Sequence, residues 1–228
     1  AVEGPAGAVR LAGTHLLLAT GRRPNVEELG LDSAGIAHDA AGIRTDAGMR
    51  TTNPRVFAVG DITGRLAFTH IAGHQAGLTV RRILFRLPAR ERRAVLPWVT
   101  FTDPELGWVG LSEAEAAVRD GPIRVSRWPF RDNDRAAIER ATLGLVKLVA
   151  TRRGRILGAG VVGSGAGELV ALLQLAISQG SSMRALASMI APYPTLAEAV
   201  RRAGLAHYAD GLTSPWVKRI IKGLKHFG

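Results

Sequence analysis

The sequence predicts an α/β region followed by an α+β domain, and three observations carry that prediction. Thr51–Asp61 (TTNPRVFAVGD) reads as a turn, a short buried strand over Val56–Val59, a glycine and an acid. His15–Ala19 is another strand-like apolar run, and Phe68–Phe85 reads as a helix. After a charged break at Leu87–Arg93, strand-like segments come together and helical ones follow, the pattern of an α+β domain.

In order along the first part, His15–Ala19 runs into Thr20–Asn25, then Leu29–Leu31 and Gly35–Ile36. Pro54 has no amide hydrogen and restrains Asn53, so the next strand begins after it. Val56, Phe57 and Val59 suit a strand buried on both faces. Gly60 permits a turn or a close approach, and Asp61 stands at the strand's carboxyl end, where open α/β sheets bind ligands. Asp61 can accept hydrogen bonds from a polyol or ribose; it can equally be the N-cap of a helix.

In the second part, Trp98–Phe101 and Trp108–Leu111 read as strands on either side of Thr102–Glu105. Ser112 caps a helix with Glu113 and Glu115 in its first turn. Strands Ile123–Phe130, Gly144–Ala150 and Ile156–Val162 follow, then helices over Glu168–Gln179, Met183–Ile190 and from about Leu196.

The 228 residues suffice for one large or two small domains, and no apolar run is long enough to span a membrane. No basic stretch followed by an apolar core marks the amino terminus, so a cytoplasmic protein is expected. The net charge of +11 comes from arginines scattered without a nucleic-acid-binding motif, so nucleic acid is not expected as a partner. There is no cysteine, which excludes disulfides and thiolate metal sites in this chain. Of the six histidines, His15, His38, His74, His207 and His226 show no metal-ligand spacing, and no metal site is expected.

The ATGRRPN turn (Ala19–Asn25), the LGLxxxGI segment (Leu29–Ile36), TxxPxVFAxGD (Thr51–Asp61) and the helix after them resemble the flavin disulfide reductases. That is the family of dihydrolipoamide dehydrogenase, glutathione reductase and mercuric reductase. The resemblance implies an FAD site in which Asp61 bonds the ribitol chain and Gly21, Arg22 and Gly60 stand beside the cofactor. It also implies that Thr69, His70, Ile71 and Ala72, the first turn of the helix, direct their amides at the flavin ring. A helix N-terminus favours the negative charge a reduced flavin gathers. NAD(P)H is the implied reductant.

The second part resembles the family's interface domain through Trp98–Thr100, Asp103–Glu105, Val109–Leu111, Asp132–Ala136, Gly144 with Lys147, Ile156–Gly158, Ala166–Glu168 and Pro194–Leu196 with Glu198. The resemblance implies a homodimer whose last loop reaches the partner's active site. Tyr193–Glu198 resembles the HPTxxE segment, in which a histidine is the acid–base group and the glutamate orients it. Here Tyr193 takes the histidine position, as in mercuric reductase, and a phenol titrating near 10 is a poor proton shuttle at neutral pH. Tyr193 and Glu198 are the candidate catalytic residues, with interface packing the alternative for Tyr193. The carboxy-terminal cysteine pair of mercuric reductase is absent, so the acceptor stays open between a dithiol, a metal ion and another small molecule.

The family's redox cysteines lie upstream of the matched segments, so the chain reads as the carboxy-terminal portion of a longer reductase. Residues 1–90 are then the end of the FAD/NAD(P)-binding region, 91–212 the interface domain and 213–228 a basic amphipathic tail. The tail could lie on a membrane or dock on the chain's own core. The alternative function is a non-catalytic dimerisation or scaffold module. Gly158–Gly163 (GAGVVG) fits a dinucleotide fingerprint but lacks a clear strand before it, a helix-forming sequence after it and a downstream acid, so it reads as interface-domain strand and turn.

Overall fold

The computed structural model describes residues 2–5, 7–212 and 215–225. They fall into two compact units, Ala1–Glu91 and Arg92–Gly228.

In the first unit, β1 (Val2–Gly4) and β2 (Gly7–Val9) form one antiparallel hairpin, and β3 (His38–Asp39) and β4 (Gly42–Ile43) another. Helix α1 (Thr69–Leu84) buries Ile71, Gln75 and Leu78, spaced as one helical face. Leu31, Ile36, Ile43 and Ala58 form a small core, with Val26, Val56 and Ile62 packed against it. Gly64, at φ +64°, follows a 3-10 turn over Gly60–Thr63. A side chain there would meet the Ala41 carbonyl, so backbone lies directly on backbone.

Neither strand expected in this unit forms. His15–Ala19 has no regular structure, and Leu16, Leu17 and Leu18 are 83%, 87% and 77% exposed. An apolar run becomes a strand only when a neighbour takes up its backbone groups, and no strand among the described residues pairs with it. Over Val56–Val59 the pairing shrinks to one bridge between Phe57 and Arg50. The turn around Asn53–Pro54 claims both backbone groups of Val56: its amide donates to Asn53 O and its carbonyl accepts from Thr51 N, each at 3.0 Å.

The second unit is built on a five-stranded antiparallel sheet in the order β5-β6-β9-β8-β7. Its elements are β5 (Pro97–Thr100), β6 (Leu106–Gly110), α2 (Glu113–Asp120), β7 (Ile123–Pro129), α3 (Asp134–Ile138), β8 (Leu145–Thr151) and β9 (Ile156–Val162). After them come α4 (Ala166–Ser178), α5 (Met183–Ala187), α6 (Ala197–Ala206), α7 (Ala209–Leu212) and α8 (Pro215–Leu224). Strand alternation divides β8. Val146, Leu148 and Ala150 join the main core with residues of α4 and α6, while Val149 joins Ala116 and Leu157 on the face under α2. Ser112 and Glu115 close a reciprocal capping box at the start of α2, at 3.2 and 2.8 Å. The Glu105 carboxylate accepts from Gly167 N at 3.0 Å, which gives α4 the acceptor its N-cap glycine lacks.

The helix expected over Met183–Ile190 closes at Ala187, where the Ser188 hydroxyl turns back to Ala185 O at 3.2 Å. The GAGVVG segment is strand and turn as expected, but two of the sequence arguments against the fingerprint do not hold. A full strand precedes its last glycine, and α4 opens three residues later at Ala166, with Gly165 as its N-cap. The fingerprint fails for another reason. Gly158 and Gly160 sit inside β9, which is antiparallel to both its neighbours, and a side chain on Gly160 would stand 2.4 Å from the Trp108 ring. These glycines make room for packing; they do not turn a phosphate loop. Thr213, Ser214 and residues 226–228 of the expected tail lie outside the described residues.

Candidate functional site

In the first unit, Asp61 lies in the 3-10 turn that begins at Gly60, not at the end of a regular strand. Gly60 has φ +75°, and a side chain on it would meet Ala72 Cβ at 3.1 Å, so the turn rests directly on the first turn of α1. The Asp61 carboxylate is exposed and has no hydrogen-bond partner among the described residues. It lines an open cleft of about 760 Å³ together with Arg22, Arg23, Pro24, Asn25 and Arg65. Arg22 Nη1 donates to Ala67 O at 3.4 Å, which draws the ATGRRPN turn toward the start of α1. Gly21, at φ +132°, precedes it on the exposed turn. The cleft therefore pairs one unsatisfied acceptor with the exposed Arg23 guanidinium and the remaining N–H groups of Arg22, a combination suited to a ligand with hydroxyls and anionic oxygens.

The helix itself opens differently from expectation. Its N-cap, Phe68, offers no side-chain acceptor. The Ile71 and Ala72 amides both donate to Phe68 O, at 3.0 and 3.1 Å, so they point back along the helix. The Ile71 side chain is buried in the core. Thr69 and His70 stand at the open end, where the His70 ring stacks on Phe68 at 5.4 Å between centroids.

A support beneath this turn escaped the sequence reading. Gly60 N donates to Gln75 Oε1 at 2.7 Å, and Gln75 Nε2 donates to Glu91 Oε1 at 2.7 Å. Arg65 holds the other Glu91 oxygen at 3.2 Å and donates to Thr45 O at 2.8 Å. A carboxylate only accepts, so Glu91 fixes which way the Gln75 amide faces. The signal for Gln75 was present in the sequence, as a polar residue on the buried face of α1; Glu91, inside a charged stretch, gave none.

In the second unit, Tyr193 is 70% exposed on a loop with a cis Tyr193–Pro194 peptide. Its hydroxyl donates to Asp134 Oδ2 at 2.9 Å. That bond, and then the Asp134 charge, push the phenol above its usual range, so at neutral pH Tyr193 is a neutral donor. Glu198, at the start of α6, does not orient it: the Glu198 carboxylate pairs with Arg202 at 3.2 Å, one helical turn on. Within the loop Glu198 contributes its amide, which donates to Thr195 O at 3.3 Å. Asn133 was also missed. It caps α3 through Ala136 N and donates to Thr195 O at 3.2 Å, tying the start of α3 to the tyrosine loop. No group of three potential metal ligands occurs among the described residues.

Two family profiles match the chain. Residues 5–76 match pyridine nucleotide-disulphide oxidoreductase, and residues 96–204 match the dimerisation domain of the same family. Dihydrolipoyl dehydrogenase from Buchnera aphidicola subsp. Schizaphis graminum is 36% identical over 82% of this chain and 39% of its own length. Mercuric reductase from Bacillus cereus is 36% identical over 86% of this chain and 31% of its own. Among solved structures, LpdA from Mycobacterium tuberculosis superposes with a TM-score of 0.80 at 27% identity, covering 88% of this chain and 44% of LpdA. The HOCl-induced flavoprotein disulfide reductase RclA from Escherichia coli gives 0.74 at 27% identity, covering 82% and 44%. The chain thus spans about two-fifths of the length of the curated relatives it matches.

Proposed function

The chain belongs to the pyridine nucleotide-disulphide oxidoreductases and has their fold, and from that premise we propose that it works as the carboxy-terminal portion of an FAD-dependent oxidoreductase. Residues 1–90 supply one wall of the FAD site and residues 91–212 form the homodimer surface. The observation that carries the reading is the unpartnered Asp61 carboxylate in an open cleft, held against a helix start that no side chain caps. Those features fit the hydroxyl-rich chain and the electron-rich ring of the cofactor.

When bound, FAD supplies electron transfer from NAD(P)H toward a disulfide, a metal ion or another small-molecule acceptor. This chain's residues bind and orient. Asp61 accepts from the ribitol hydroxyls, Arg22 borders the same cleft with Gly21 just before it in the turn, and Thr69 and His70 open the helix toward the ring. Tyr193 offers a neutral hydroxyl to an acceptor or its metal at the dimer interface, with Asp134 and not Glu198 holding it. The chain has no cysteine, so any redox pair belongs to sequence outside these residues. The matches of both profiles in family order favour this reading over a scaffold module. In this reading the protein works in the cytoplasm, with its tail able to meet the inner face of a membrane.

The test is the visible spectrum of the product of the complete reading frame after FAD is added. A yellow protein that loses FAD about tenfold more readily on Asp61→Ala supports the assignment, a loss in keeping with one charge-assisted hydrogen bond. A folded product that stays colourless with excess FAD ends it.

A further inference from the structure

Helix α8 (Pro215–Leu224) lies beyond residues 96–204, so the family's dimerisation domain does not account for it. At 100° per residue, Trp216, Val217, Ile220, Ile221 and Leu224 share an arc of about 140°. Arg219, Lys222 and Lys225 occupy the opposite side, and no acid occurs between Pro215 and Lys225. The apolar side is not taken up by the unit's own core. Trp216 is 70% exposed, Leu224 63%, Ile221 48% and Ile220 40%. That decides against docking on the chain itself, the other use a sequence of this pattern could have.

We infer that α8 is a membrane-surface helix, which seats Trp216, Ile220, Ile221 and Leu224 at the acyl boundary of an anionic bilayer while Arg219, Lys222 and Lys225 meet its phosphates. Charge complementarity selects the lipid. A helix with cations on one side and none of the opposite sign binds a surface that is negative and apolar in layers, and a bilayer leaflet presents that order. An indole is suited to the level between headgroup and chain. A nucleic acid would use the cations and leave the wide apolar arc in water. Ten residues span about 15 Å, half a bilayer core, so the helix lies in the plane. No helix among the described residues is long and apolar enough to cross. The inference does not depend on the flavin reading, since neither Asp61 nor Tyr193 enters it.

The experiment is co-sedimentation of the full chain with two kinds of vesicle, one about one-third phosphatidylglycerol in phosphatidylcholine, the other phosphatidylcholine alone. Binding to the first should exceed binding to the second by at least about tenfold, since each basic residue near an anionic surface contributes about fivefold. The chain carries +11 overall, so charge alone could bring it to such vesicles. The deciding variant is therefore Ile220→Asn/Leu224→Asn, which changes no charge. It should lose vesicle binding by about tenfold or more with thermal unfolding unchanged. If that variant sediments as well as the parent, or the parent binds neither vesicle, the inference is wrong. It is equally overturned if the variant alters only the oligomeric state in lipid-free buffer, because the face would then be a protein contact.

Discussion

The Tyr193 hydroxyl and the Asp134 carboxylate, 59 residues apart in sequence, meet in a hydrogen bond of 2.9 Å. The bond keeps the phenol protonated, so replacing Asp134 by Asn should lower the Tyr193 titration midpoint toward its usual 10.0. Phenolate absorbance in a Tyr208→Phe background isolates the signal, because the chain has only two tyrosines. Folding raises this pKa, so the bond supports the fold below pH 10 and its contribution fades as pH climbs through the folded value. An unmoved midpoint would mean the bond does not persist in solution.

The Gly60–Gln75–Glu91 chain is buried, and its removal should be costly. Gln75→Leu takes the acceptor from the buried Gly60 amide and one donor from the Glu91 carboxylate, which should destabilise the first unit by about 3 kcal/mol in urea unfolding. FAD retention should fall with it, because Gly60 aims Asp61. A variant as stable as the parent would show that water replaces the amide.

Gly160→Ala forces a methyl group against the Trp108 ring and should cost about 1–3 kcal/mol. Combined with Trp108→Leu, the two penalties should be less than additive in thermal unfolding. Full additivity would remove Trp108 as the reason for the glycine.

His207 is buried, and burial, followed by the nearby Arg124 charge, lowers its pKa below 6.5. The unfolded chain therefore takes up the proton first, and stability should decline as pH falls below about 6.5. His207→Gln should flatten that decline in melts between about pH 7 and pH 5. Equal slopes for the two proteins would rule out His207 as its source.

Strands β5 to β9 were legible because each carries its own alternation or apolar run, and a short turn joins the antiparallel pairs β5–β6 and β8–β9. The α2 start was legible because Ser112 and Glu115 cap it locally. His15–Ala19 misled, since apolarity signals a need for burial and says nothing about a pairing partner. Of the candidate site, only what joins neighbours in sequence, as Gly60 and Asp61 are, could be read from the sequence. Asp134 holding Tyr193 and Glu91 holding Gln75 depend on distant segments meeting, and no local pattern announces them.

Leu16, Leu17 and Leu18 stand side by side and exposed, in a run that no strand among the described residues pairs. Chaperones and proteases meet unfolded chains as stretches of this kind. A chain that carries such a run needs a neighbour to cover it, and in the reductase proposed above that neighbour would come from the rest of the protein.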